Sequence, residues 1–243
     1  MIIYSQLLSD FKTIVHGIST KLGGNSEPPY YNNLSLYVGD NSYIVRRNRE
    51  TFYTTLGIDQ KRVAYAGQIH SSNIAIVSEP GLYSNTDALI TNRNNIFLVI
   101  SVADCYPIIL YDQRKNIVAN IHCGWRGASK KIVIKTIEKM TEVFNSAAED
   151  IFVFIGPGIS QDFFEVGYEV AAIFNPKHVF NLFDGKFKVD LRNVIYEQLL
   201  GMGIHIAKIE VSGLCTYREK DILHSYRRDK EKSGRMFALV GLR

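Results

Sequence analysis

Six apolar runs of strand length, each bounded by Gly, Asp or Asn, decide most of what this chain can fold into. They are Phe97 to Val102, Pro107 to Tyr111, Ile117 to Ile121, Ile151 to Ile155, Ile204 to Val211 and Phe237 to Leu242. None is long enough for a membrane-spanning helix, so no membrane span is expected. Helical patterns lie between them. Ser129 is placed to cap a helix through Ile132, Val133, Ile137, Met140 and Phe144, and Asp190 to cap one through Leu191, Val194, Ile195 and Leu199 that ends at Gly201. The strands cluster instead of alternating with helices, which favours an α+β fold over a doubly wound parallel sheet. No linker, repeat or low-complexity tract divides residues 1–243, so a single catalytic domain is expected. The segment from Lys21 to Asp40 is too rich in Gly, Pro and Asn to be regular and reads as a long surface loop, a common carrier of function.

One register can be read directly. Gln113 to Asn116 form a plausible hairpin turn between Asp112 and Ile117. If those two residues pair, Pro107 faces His122 and Cys105 faces Gly124. Cys105 and His122 then share a face as diagonal neighbours, roughly 7–8 Å apart at Cα. A slip of one residue would put them on opposite faces.

The formal charge of +4 suits an anionic small molecule and is too small to argue for nucleic acid. Only Tyr226-Arg227-Arg228 resembles a basic patch with an aromatic. The N-terminus has neither a basic region nor a long apolar stretch, so no signal peptide is expected. Three cysteines, Cys105, Cys123 and Cys215, form no disulfide framework, and a reducing cytoplasm is the simplest compartment.

His70, Cys105 and His122 each stand in a short, unusual motif: Gly67-Gln68-Ile69-His70, Ala103-Asp104-Cys105-Tyr106-Pro107, and Ile121-His122-Cys123-Gly124-Trp125-Arg126-Gly127. Two imidazoles and a thiolate make a good zinc set, with a fourth position left open for water or substrate. The spacing alone is not diagnostic. The same residues could be a buried thiol and two satisfied histidines.

These motifs and others resemble the YfiH/laccase-domain family, known both as multicopper polyphenol oxidoreductase laccase and as purine nucleoside phosphorylase. The resemblance runs nearly end to end. It includes His16 to Lys21 with Gly23-Gly24, Asn33-Leu34, Val38-Gly39-Asp40, Asn48-Arg49, Thr86-Asp87-Ala88 and Ile155-Gly156-Pro157. It closes with Glu165-Val166-Gly167, Cys215-Thr216, Ser225-Tyr226-Arg227-Arg228 and Ser233-Gly234-Arg235. It implies mixed β-sheets sandwiched by helices, zinc on His70, Cys105 and His122, and a small-molecule substrate, a purine nucleoside split by phosphate into base and ribose-1-phosphate. Adenosine deamination is implied as a second activity. The chain departs from the family pattern at Lys21, where arginine is more usual, and over Ile159 to Phe164.

Copper fits two His and one Cys. A four-copper laccase further needs a trinuclear cluster whose histidines would outnumber the six in this chain, so that mechanism is rejected. Zinc with an open position could orient phosphate or activate water. Substrate contacts are expected from Lys21, Asn33, Gln68, Arg126, Arg227 and Arg228; Gly23-Gly24 is either a plain turn or an anion-binding nest. Trp125 and Gln68 are placed to meet a purine. Asp104 is a candidate general base, or a carboxylate holding a ligand imidazole; strand alternation turns it from Cys105 and favours the second role.

Two other readings remain. Cys105 and His122 could be the nucleophile and base of a metal-free amide hydrolase, such as one editing cell-wall precursors. Alternatively zinc is structural in a non-enzymatic module, with Cys123, Cys215 or His16 as a fourth ligand. Strand alternation makes Cys123 a poor one.

Overall fold

Residues 1–243 are described by a computed structural model. Two six-stranded mixed sheets lie at its centre. The first runs Ile2–Ile3, Ile14–Ser19, Met236–Leu242, Phe97–Val102, Val63–Gly67, Gly81–Ser84 in spatial order. The second runs Ile209–Val211, Ile151–Ile155, Tyr106–Asp112, Ile117–Cys123, Ala88–Thr91, Ile74–Ile76. A small three-stranded sheet, Glu165–Val166, Phe187–Val189 and Val179–Asn181, buries Val189 in the core beside the second sheet.

The long apolar runs are explained by burial on both faces. Ile18, Leu98, Ile100, Ala238 and Val240 of the first sheet meet Leu89, Ile109, Tyr111, Val118 and Phe154 of the second. Alternate residues of the second sheet, Ile108, Leu110, Ala119 and Ile121, face helices Ile132–Phe144 and Leu191–Gly201. Phe97, Val99, Phe237 and Leu239 face helix Ser42–Leu56 on the other side. The result is an α+β sandwich with helices on both outer faces. Each fully buried Leu or Ile contributes roughly 1.5–3 kcal/mol to holding these layers. Within the seam, Asn120 donates to the carbonyls of Leu98 (3.0 Å) and Ala238 (2.9 Å), tying one sheet to the other.

The hairpin register matches the turn: Asp112 lies opposite Ile117 and Pro107 opposite His122. The ladder ends at Tyr106 opposite Cys123, so Cys105 and Gly124 stand just beyond it. Asp190 caps its helix, its carboxylate accepting from the Asn193 N–H at 3.0 Å. That helix runs through Gly201, and the left-handed residue that follows is Gly203.

Three local expectations are corrected. Ser129 caps nothing, because a helix has already begun at Trp125, straight after an extended Gly124. Ser129 ends that turn with its hydroxyl on the Arg126 carbonyl, and Lys131, in left-handed backbone, breaks the chain before Ile132. The run from Ile204 to Val211 is only half strand: Ile206–Lys208 is a 3-10 turn and Ile209–Val211 pairs with Val153 to Ile155. The segment 21–40 has no regular element, yet it is no mere surface loop, since Asn33 and Leu34 are fully buried.

Candidate metal centre and its cleft

The site forms where strands from both sheets end together. Val118, Asn120 and His122 share the face toward the seam, while Cys123 faces the helical core. His70 arrives from the first sheet, three residues past Gly67, on a left-handed residue (φ 57°). The donor atoms of His70, Cys105 and His122 all lie within 4.8 Å of one another. The two rings meet edge to face with centroids 4.9 Å apart.

One buried carboxylate organises this group. Asp87 accepts from His122 Nδ1 at 2.8 Å, and from the main-chain N–H groups of Ile69 (3.3 Å), His70 (3.1 Å) and Ser71 (2.7 Å), with the Ser71 hydroxyl at 2.7 Å. An ionised carboxylate only accepts, so the His122 proton is on Nδ1 and Nε2 is left for the shared centre. Burial pushes the Asp87 carboxyl up, but His122 and Ser71 outweigh it and hold it well below the usual range. Burial also pushes the Cys105 thiol up, against the His122 and His70 imidazoles, which bring it below an ordinary thiol. His122 goes the other way: burial disfavours its charge, and Cys105 and Asp87 more than restore it.

The donors fit a borderline-soft ion such as zinc. Gly124 makes room for them: a Cβ there would meet Cys105 Sγ at 2.7 Å and His70 Cδ2 at 3.6 Å. The candidates for a fourth ligand are elsewhere. Burial among apolar side chains pushes the Cys123 thiol up. Cys215 Sγ accepts from the Ser160 N–H and hydroxyl, and His16 accepts from the Ser5 N–H. His178 pairs with Glu197 and His205 caps its own turn, while His224 is buried against Gly234.

The centre opens into a cleft of about 1130 Å³, ample for a small ligand. Among the expected site residues, Asp104, Gln68, Arg126 and Arg227 line it with the three donors. Gln68 spends its amide extending the sheet, donating to Ser101 O at 2.8 Å and accepting from Ser101 N at 2.6 Å. Asp104 does not hold an imidazole. Its carboxylate accepts from the Thr216 hydroxyl (2.7 Å) and the main-chain N–H of Arg227 (2.6 Å), tying the short helix Tyr226–Asp229 to the residue before Cys105.

Three expected contacts lie off the cleft lining. Lys21 donates to the Lys220 carbonyl and sits over Tyr31. Arg228 is consumed by the carbonyls of Thr216, Tyr217 and Leu223 and by Asp229. Asn33 braces Ser35, Asp40 and Arg235. Gly24 packs against the Asn32 backbone, which is what a tight turn requires, and neither it nor Gly23 lines the cleft. Residue chemistry alone did not single out Asp87, Arg49 or Arg235, although each stands in a motif quoted above.

A sequence model of the family described as multi-copper polyphenol oxidoreductase laccase matches residues 15–243. The purine nucleoside phosphorylase of Bacteroides thetaiotaomicron is 33% identical over 95% of this chain and 92% of its own length. Adenosine deaminase RL5, from an unknown prokaryotic organism, is 34% identical over 94% of this chain and 95% of its own. The crystal structure of the hypothetical protein YfiH of Bacillus licheniformis superposes with a TM-score of 0.93 at 29% identity, covering 100% of this chain and 96% of that one.

Proposed function

The chain belongs to the multi-copper polyphenol oxidoreductase laccase family, and from that premise we propose that it is a zinc-dependent purine nucleoside phosphorylase. It would convert adenosine, inosine or guanosine and phosphate to base and ribose-1-phosphate, with adenosine deamination as a side activity. The observation that carries this reading is a three-donor centre, His70, Cys105 and His122, at the floor of a cation-lined cleft. The names of relatives aligned over nearly the whole chain support the substrate class. Six histidines are too few for a four-copper cluster, so the family's description does not describe this chemistry.

Zinc on those three residues would supply a Lewis acid at an open position. The chain's own residues do the remainder. Asp87 fixes the His122 tautomer and, through the main chain, the loop of His70. Gly124 keeps the centre uncrowded. Asp104 accepts from the main-chain N–H of Arg227 and so fixes the short helix Tyr226–Asp229 at the cleft wall, and Arg126 and Arg227 bias the cleft toward an anionic reactant. Tyr65, Trp125, Phe164 and Phe237 offer apolar faces to a flat base. We take residues 1–243 as one catalytic domain, and three free cysteines support a cytoplasmic setting.

The test is metal analysis joined to a phosphate-dependence assay on adenosine and inosine. About one zinc per chain, and base release that requires phosphate, is the expected result. Base release indifferent to phosphate would point to hydrolysis instead.

A second reading is favoured by one observation. Without a metal, Asp87, His122 and Cys105 form a carboxylate–imidazole–thiol relay with the thiol already biased toward thiolate. Amide hydrolysis that persists in metal-free protein and stops on alkylation of Cys105 would select it.

A further inference from the structure

Five cationic side chains line the cleft, Arg49, Arg126, Arg227, Lys230 and Arg235, against a single carboxylate, Asp104. They are not equivalent. Arg227 spends Nη1 on the Glu165 carbonyl at 2.7 Å. Arg49 gives Nε to the Leu34 carbonyl at 2.7 Å and lies over Phe237 and Tyr65. Arg126 is exposed, rests on Trp125 and has no guanidinium N–H bonded to the protein.

Arg235 is both anchored and unspent. Its Nη1 donates to the carbonyls of Ser233 (2.7 Å) and Gly234 (3.1 Å), and its guanidinium lies 5.4 Å from the Tyr226 ring centroid. Its main-chain N–H is held by Asn33 Oδ1 at 2.9 Å, and buried Asn33 is itself braced by Asp40. No carboxylate pairs with it, and Nε and Nη2 have no acceptor in the protein. It lines the same cleft as Asp104 and the donor Cys105.

Resting on the phosphorolytic reading, we propose that Arg235 is the phosphate-binding residue of this site, its unspent fork edge taking two oxygens of the attacking phosphate. In the reaction, a phosphate oxygen bonds to C1′ of the sugar as the bond from C1′ to the purine nitrogen breaks. The electron pair leaves with the purine, the proton of hydrogen phosphate ends on the base, and no oxidant or reductant is consumed. A planar fork fixed on one edge suits this, since bidentate contact aligns the anion as well as attracting it.

Two measurements test the assignment on Arg235→Gln and Arg235→Lys: inosine phosphorolysis with phosphate varied, and calorimetric titration of inorganic phosphate into the protein as purified. Arg235→Gln should raise the phosphate KM and weaken phosphate binding on the order of tenfold to a hundredfold. The inosine KM and metal content should stay within about twofold. Arg235→Lys, which keeps the charge and can keep the Ser233 bond, should recover part of the loss. The assignment falls if Arg235→Gln leaves phosphate KM and binding unchanged, or if Arg126→Gln shows the larger loss. Wild-type protein that releases no base with phosphate sinks the phosphorolytic reading itself. Calorimetry then still decides whether Arg235 holds an anion.

Discussion

Asp87 Oδ1 and His122 Nδ1 stand 2.8 Å apart, both buried, and the same carboxylate also receives the main-chain N–H of His70 at 3.1 Å. One acid thus aims a donor ring from the second sheet and the loop that carries a donor ring from the first. Asp87→Asn keeps the shape but replaces an acceptor by an N–H donor facing either His122 or the loop. We expect about a 10–100-fold loss of zinc affinity, the usual cost of an outer-sphere partner, read by chelator competition. Unchanged affinity would mean that the strand ends alone position the donors.

Gly124 is in extended backbone with φ −85°, so alanine there costs nothing in conformation. The cost is steric and falls on the donors, since the new Cβ would lie 2.7 Å from Cys105 Sγ. Gly124→Ala should lose metal and turnover while its circular dichroism and unfolding midpoint stay close to wild type. A variant that binds metal normally would show that Cys105 has slack the structure does not suggest.

The imidazoles that lower the Cys105 thiol make a prediction for metal-free protein. Cys105 should be alkylated by iodoacetamide at about pH 7, where an ordinary thiol is mostly protonated. Cys123, pushed up by burial, should remain unmodified in the folded state. Mass spectrometry of the two peptides decides it, and zinc should protect Cys105. In the Asp87→Asn protein the reaction should slow, because His122 is less readily charged.

How much of this was legible before folding depends on what each residue had to compete with. The strands Phe97–Val102, Tyr106–Asp112, Ile117–Cys123 and Ile151–Ile155 were readable because burial on both faces makes them continuously apolar. The hairpin register followed from a polar turn of fixed length. Helix Ser42–Leu56 was not readable, because its inward stripe of Val45, Phe52, Tyr53 and Leu56 includes Asn48, which is spent on loop carbonyls. Short strands such as Ile74–Ile76 and Gly81–Ser84 are half-exposed at sheet edges and carry no clear period. In the site, charge type misled. Lys21 and Arg228 look like anion contacts until their donors are seen to serve main-chain carbonyls. Asp87 stands in a quoted motif without a role, because nothing in its neighbours reveals five donors converging on it.

His224 supplies a last prediction, on stability against pH. It is fully buried, and neither ring nitrogen has a hydrogen-bond partner in the protein. Burial pushes it down to about 3, and Lys21, Arg235 and Arg228 add to that against the opposing charge of Asp229. A histidine depressed in the folded state is protonated first in the unfolded chain, whose value is about 6.5. Between those limits the unfolded state binds more protons, so stability falls as pH drops from about 6.5 toward 3 and is fully present above that window. From pH 7 to about pH 5 the loss from this one ring is about 2 kcal/mol, at roughly 1.4 kcal/mol per unit below 6.5. His16, also lowered chiefly by burial, adds in the same sense. His224→Phe keeps a flat ring and removes the titration, so its denaturation midpoint should move less between the two pH values than that of wild type, by an amount equivalent to that loss. Equal shifts in the two proteins would mean that His224 already finds a proton acceptor when folded, and that the acid sensitivity lies elsewhere.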